Sequence, residues 1–235
     1  MAKNEYSLIV LGAGGTGTYF LKEVSRLIAS DASIKRHIVS MTICDGDIVE
    51  EKNLSRQCFC IDDIGRKKAI VMAEVLNDAF SLDWKAYPEY VLSVSDLERF
   101  VQSGSIPLII GCVDNHAARL LVETFFEKRA NCIVFDSANE YEAGELVIAA
   151  KMNGMVMGPC RSFYFPDIKT GDVRTVSEMS CEELNNVAPQ HIFTNMCAGM
   201  HLCVAFHNLM DEKLDTGVSF FNPLKMQDSF MSYGG

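Results

Sequence analysis

Two cations and three acids stand where chemistry on a polyphosphate would want them. Arg56 lies in the polar stretch Asn53-Leu54-Ser55-Arg56-Gln57, and Lys68 opens an amphipathic run. Asp45 and Asp47 follow the apolar run HIVSMTIC, and Asp114 follows PLIIGC. Attack on the α-phosphorus of a nucleoside triphosphate builds negative charge in a pentavalent transition state and on departing pyrophosphate. Two cations at about 4 Å can each supply up to roughly 4 kcal/mol at an effective dielectric near 20, before desolvation costs. An acid such as Asp114, at the end of a buried strand, can hold Mg²⁺ against phosphate oxygens. A carboxylate such as Asp45 can accept hydrogen bonds from ribose hydroxyls. Each residue also has a plainer use. Asp45 and Asp47 suit a turn, Arg56 a solvated loop and Lys68 a helix surface. Asn115 can cap the next helix, and Arg119 can pair with an acid inside the domain.

These residues need a scaffold that gathers strand ends. Residues 8–27, LIVLGAGGTGTYFLKEVSRL, run from an apolar strand through a glycine cluster into an amphipathic helix. Gly12, Gly14 and Gly17 fit G-x-G-x-x-G, a phosphate-binding turn that does not say which nucleotide is bound. Strands are expected over 5–12, 37–44, 86–92, 107–112 and 132–136. Helices are expected over 16–30, 66–80, 95–103 and 115–129. In the second helix Val71, Met72, Val75, Leu76 and Ala79 share one face. This alternation implies parallel βαβ units with right-handed crossovers. The period breaks after about residue 136. Residues 145–150 and 155–157 read as strands of an antiparallel arrangement, 160–190 as polar and irregular, 191–209 as a strongly apolar helix, and 215–235 as a short strand or tail. The expected fold is α/β, a Rossmann-like doubly wound, mostly parallel sheet with an additional antiparallel C-terminal portion.

Composition narrows the partners. The 235 residues are 49% hydrophobic and 22% charged, with a net charge of −10, which disfavours a nucleic-acid-binding role. The N-terminus MAKNEYSLIV has no secretory pattern, and no run approaches the roughly 18 apolar residues of a membrane span. Nine cysteines form no regular framework, so free thiols in a reducing cytoplasm are the simplest account. No Cys-x-x-Cys pair exists, and structural zinc is not expected.

Taken together, the G-x-G-G-x-G loop, the D-x-D-x-V-x-x-x-N-L-x-R-Q segment, a following Lys and D-N-x-x-x-R resemble the ThiF/MoeB/HesA family, the adenylating fold of ubiquitin-activating enzymes. The short length is similar to its PRTRC-system ThiF branch. The resemblance covers residues 5–150 well and 175–210 more loosely. It implies one adenylation domain over 1–235, with a nucleotide-binding half (1–136) and a partner-binding and dimerisation half (137–235). The implied activity uses Mg·ATP to adenylate the C-terminal glycine carboxylate of a small ubiquitin-like, β-grasp protein. By the same resemblance, Gly12, Gly14, Gly15 and Gly17 are the phosphate-loop glycines. Asp45 is the ribose-binding acid and Asp47 the second acid of its motif. Asn53, Arg56 and Gln57 face the triphosphate, and Lys68 contacts phosphate. Asp114 is the magnesium-associated acid, Asn115 follows it, and Arg119 lies one turn later. A homodimer is implied as well, with the apolar 191–209 helix contributing to the interface.

The chain also departs from the family pattern. Cys160 is followed by Arg161-Ser162-Phe163, so the first zinc-binding pair of zinc-holding members is lost. The chain begins almost at its first strand, which leaves no room for the N-terminal helix whose Arg reaches the partner subunit's ATP in many members. Cys181 matches a crossover-loop cysteine that in some relatives bonds sulfur or forms a thioester. A thiolate there is a competent acyl acceptor, although Glu178, Glu182 and Glu183 would raise its pKa, and a plain free thiol is the alternative. Met196 and Met200 are expected in the core or at the dimer interface. His191, His201 and His207 with Cys197 and Cys203 do not make a well-spaced set of four metal ligands. The Gly234-Gly235 ending is like that of a modifier but follows no β-grasp pattern. Two other functions use the same glycines: an NAD(P) oxidoreductase, which leaves Arg56 and Lys68 unexplained, and a nucleotide-binding scaffold without catalysis.

Overall fold

The computed structural model of the chain describes residues 4–170 and 190–234. Strand β1 (Tyr6–Leu11) is buried at all six positions and apolar at all but Ser7. It sits between β2 (Ile38–Cys44) and β4 (Ile106–Gly111), parallel to both. The edge strand β3 (Trp84–Tyr87) pairs in parallel with β2, and β5 (Cys132–Asn139) with β4. Beyond β5 the direction reverses. Strand β6 (Gly144–Met152) runs antiparallel to β5 and carries both β7 (Met155–Gly158) and β8 (Gly217–Asn222); β9 (Gln227–Ser232) closes the edge against β8. The order is β3-β2-β1-β4-β5-β6-β8-β9, with β7 off this path on β6. The expected doubly wound sheet with its antiparallel C-terminal portion is therefore present.

Alternation along β1 makes the layers. Leu8 and Val10 point to one face, where α1 (Gly15–Ser30), α3 (Lys68–Phe80) and α7 (Ile192–Met210) bury Phe20, Leu21, Leu76 and Phe206. Ile9 and Leu11 point to the other, where α5 (His116–Lys128) buries Val122, Phe125 and Phe126 and α4 (Val94–Glu98) buries Leu97. Short helices α2 (Ala32–Lys35) and α6 (Arg161–Tyr164) complete the set among the described residues.

Three expectations need correction. The strand read over 86–92 lies at Trp84–Tyr87. Pro88 has no N–H to continue the ladder, while the Asn77 side chain clamps both the N–H and the C=O of Trp84, at 2.7 and 3.0 Å. Second, the C-terminal "short strand or tail" is the β8–β9 hairpin, turned through Pro223–Lys225 with Met226 left-handed at φ 51°. Last, Val75 is 52% exposed, so α3 buries a narrower stripe than its apolar residues suggest.

Candidate nucleotide site

Strand order switches at β1 and β4: successive strands lead away on either side, which opens a crevice at their carboxyl ends. The glycine turn leaves β1 into this crevice. Gly12 has φ +94°, and a Cβ there would lie 2.5 Å from the Cys112 carbonyl oxygen. A Cβ on Gly17 would meet the Gly12 oxygen at 2.0 Å. Both glycines are demanded by backbone packing between strand and helix. Gly14 differs, because its Cβ position is open except for Gln57 Nε2 at 3.9 Å. Space there is what a phosphate approaching the N-terminus of α1 would use. No acidic side chain stands in the first turn of that helix.

The acid pair after β2 is wired into the turn. One oxygen of Asp45 accepts the Ala13 N–H at 2.6 Å and the other the Asp47 N–H at 2.8 Å. Burial pushes the Asp45 carboxyl up from its ordinary range, against the pull of Lys68. Asp47 accepts from Lys68 Nζ at 2.9 Å and from the Tyr90 hydroxyl. Although burial opposes it, Lys68 and the Tyr90 hydrogen bond hold Asp47 below the usual carboxylate range. Lys68 itself is buried at the start of α3. Burial and then the bond to Asp47 push the Tyr90 phenol upward, with Asp45 and Asp114 adding to the effect. Tyr90 therefore stays a donor.

The Asn53–Gln57 loop reaches the glycine turn, where Gln57 Nε2 lies 3.9 Å from the Cβ position of Gly14. Asn53 is buried, and its side chain accepts the Glu50 N–H at 2.9 Å, closing a 3₁₀ turn. Its position is structural. Arg56 is half-buried and donates to Gln190 Oε1 at 3.3 Å. Gln190 donates in turn to the Asn139 carbonyl at 3.0 Å, which joins the loop to the antiparallel part. Gln57 is buried with Oε1 unpartnered. A buried amide oxygen without a partner is costly unless a hydrogen-bond donor arrives. At the end of β4, Asp114 is exposed, and Asn115 caps α5 by accepting the Ala118 N–H at 2.8 Å.

Arg119 is not in the crevice. It pairs with Asp136 at 3.3 Å and donates to the Val113 carbonyl at 2.7 Å. Asp136 also takes Arg161 at 2.6 Å, and Arg161 bridges to Glu145 at 2.6 Å. This buried network braces β5 and β6, so Arg119 is a domain-internal pair. Cys181 lies outside the described residues, as does Gly235. Met196 and Met200, 44% and 57% exposed, are not core residues.

Two contacts are invisible to motif reading. The Tyr90 ring packs on Gly46, where a Cβ would sit 2.8 Å from it, and nothing in YPEY marks that role. Asn195 on α7 is fully buried against Gly15: an added Cβ would approach its side chain to 2.4 Å. Its Oδ1 accepts from Asn139 at 2.9 Å, and Asn139 accepts from Thr16 at 2.9 Å. A lone Asn on the buried side of an apolar helix was the available signal.

A sequence model of the ThiF family matches residues 3–231. The chain belongs to that family. It is 27% identical over 127 residues to ubiquitin-like modifier-activating enzyme 5 of Culex quinquefasciatus, covering 49% of this chain and 30% of that one. It is 39% identical over 74 residues to the NEDD8-activating enzyme E1 catalytic subunit of Saccharomyces cerevisiae, covering 31% and 22%. The chain thus spans less than a third of the length of these two relatives. Among solved structures, E. coli MccB with ATP aligns at a TM-score of 0.66 and 16% identity, over 98% of this chain and 64% of that one. MccB with AMPCPP and MccA aligns at 0.64 and 14%, over 98% and 64%. The likeness to these structures is one of fold.

Proposed function

We propose that this protein is an ATP-dependent adenylyltransferase that activates the C-terminal carboxylate of a small ubiquitin-like protein and releases pyrophosphate. The observation that carries the reading is the wiring of one strand end. Asp45 holds the Ala13 N–H of the glycine turn, and Asp47, two residues on, holds Lys68. Phosphate loop and cation are thereby set in register before any ligand arrives. The open face of Gly14, with the donor Gln57 Nε2 beside it, fits a nucleotide phosphate there. The family membership, the relatives named as ubiquitin-like modifier-activating enzymes, and neighbours crystallised with ATP and with MccA support the same reading.

In this reaction the partner's carboxylate oxygen bonds to the α-phosphorus, and the bond to pyrophosphate breaks. The protein supplies no nucleophile for that step. The α1 N-terminus and the Gly12–Gly17 turn bind phosphate oxygens, while Lys68 and Arg56 offset the charge that develops. Asp45 keeps the turn in shape. It can serve ribose hydroxyls with the lone pairs its two backbone bonds leave free. Asp114, exposed at the crevice, would hold Mg²⁺, whose positive charge would offset the phosphate oxygens. Cys181 would take the acyl group only in a later step, in which its thiolate attacks the acyl-adenylate carbonyl, the acyl–phosphate bond breaks and AMP leaves. A homodimer through the exposed α7 stripe Phe193, Met196, Met200 and Val204 completes the reading, and sedimentation of the full chain tests it.

The deciding experiment is ATP–pyrophosphate exchange with the cognate small protein. Exchange that needs both ATP and a free C-terminal carboxylate is expected. ATP binding without exchange for every candidate partner would leave a scaffold, and tighter binding of NADH than of ATP would overturn the nucleotide assignment.

A further inference from the structure

Helix α7 has two working faces. Asn195 and Gly199 turn toward α1, where Gly199 abuts Tyr19. Cys197 and His201, one turn apart, lie instead toward the C-terminal hairpin. There Cys197 Sγ, a His201 ring nitrogen and an Asp228 carboxylate oxygen all come within 4.8 Å of one another. We propose that Cys197, His201 and Asp228 form a binding site for a zinc-class divalent cation that ties the β8–β9 hairpin to α7.

The donor set is a thiol, an imidazole and a carboxylate, which suits zinc and its surrogate cobalt. Tetrahedral bonds of about 2.0–2.3 Å separate their ligand atoms by roughly 3.3–3.7 Å. His201 Nε2 and Asp228 Oδ1 already stand 3.3 Å apart. The far nitrogen, Nδ1, lies 2.9 Å from Ser219 Oγ. With its proton on Nδ1 it would donate to that hydroxyl and leave the Nε2 lone pair facing the site, the orienting contact that metal-bound histidines usually carry. The Phe221 ring packs on the imidazole at 4.7 Å, which further fixes its plane. Asp228 is 66% exposed on its side chain, so water can reach a fourth position.

Binding would form the metal–sulfur bond and release the thiol proton of Cys197 to solvent. The gain falls on the sheet edge: all six residues of β9 are exposed, and among the described residues it pairs with β8 alone. Sequence spacing sets Cys197 and His201 aside for want of a set of four, because Asp228 joins them only through the hairpin.

The test is titration of the chelator-stripped full chain with Co²⁺, followed by displacement with Zn²⁺. One ion per chain is expected, with a thiolate-to-cobalt charge-transfer band and the intense visible bands of a tetrahedral ion. Cys197→Ser should abolish the charge-transfer band. Asp228→Asn, at an exposed position that should not perturb folding, should weaken binding by more than the roughly 10- to 100-fold that losing an outer-shell partner costs. Zinc should slow amide exchange across Gln227–Ser232 in the native chain but not in Asp228→Asn. No thiolate–cobalt band, a band that survives Cys197→Ser, or equal affinity in Asp228→Asn would overturn the assignment. ATP binding is measured on the same samples, so the result stands apart from the adenylation reading.

Discussion

The carboxyl ends of the parallel strands and the C-terminal hairpin are opposite solutions to holding polar groups in place. In the crevice, Asp45, Asp47, Lys68, Gln57 and Asn195 belong to β2-end, loop and helix segments that pack on the buried sheet, and short hydrogen bonds set them without a ligand. In the hairpin, no residue of β9 is buried, and polar contacts run from α7 to Ser219 and Asp228. The lesson is that the parallel core can preorganise charge because low-dielectric walls surround it. The antiparallel edge must recruit its order from outside itself.

The contrast can be broken most forcefully where the two parts meet. Asp136→Ala would leave Arg119 and Arg161 buried without their shared acid. A loss of about 3–5 kcal/mol in denaturant-derived stability is expected, far more than from removing an exposed pair. A loss under 1 kcal/mol would show that the network is ornamental. Next comes the proposed catalysis. Lys68→Ala and Arg56→Ala should each lower pyrophosphate exchange by about 10²–10³-fold, equivalent to about 2.7–4 kcal/mol of barrier. Partner binding, read by co-sedimentation, should persist. Unchanged exchange in both would remove the two cations from the mechanism.

A finer test lies within the crevice itself, in two acids two residues apart with opposite shifts. Carboxyl NMR titration should place Asp47 below and Asp45 above the ordinary aspartate value of about 3.9. Stability follows with opposite signs. The contribution of Asp47 is fully present above its unfolded value and is lost as pH falls through its lower folded value. Asp45 binds its proton more tightly when folded, so its cost sets in as pH rises past the unfolded value and is complete above the folded one. Like-signed shifts would mean that the Lys68 pairing does not hold in solution. The smallest expected effect is at the edge: Met231→Thr, at a 47% exposed β9 position, should change stability by no more than about 0.5 kcal/mol. A larger loss would show the hairpin covered by a partner.

Much of this was legible in the chain. Apolar runs separated by amphipathic helices specify parallel units, because a strand buried on both faces must be apolar throughout. The glycine turn was legible because only glycine fits where Gly12 and Gly17 approach backbone oxygens. Pro88 carries its own stop signal, although Tyr90 and Val91 beyond it have strand propensity. Asn53 and Asn115 matched motif positions, but their side chains close local turns.

The amino-acid order by itself determined the sheet's alternation, the turn after β1 and the acids at the ends of β2 and β4, since these follow from local periodicity and backbone sterics. Tertiary structure alone decided that Asp45 serves the Ala13 N–H, that Tyr90 and Lys68 share Asp47, that Arg119 turns inward to Asp136, and that Asp228 stands beside His201. Those contacts join residues distant in sequence. Their energies depend on burial and direction, which no spacing along a chain encodes.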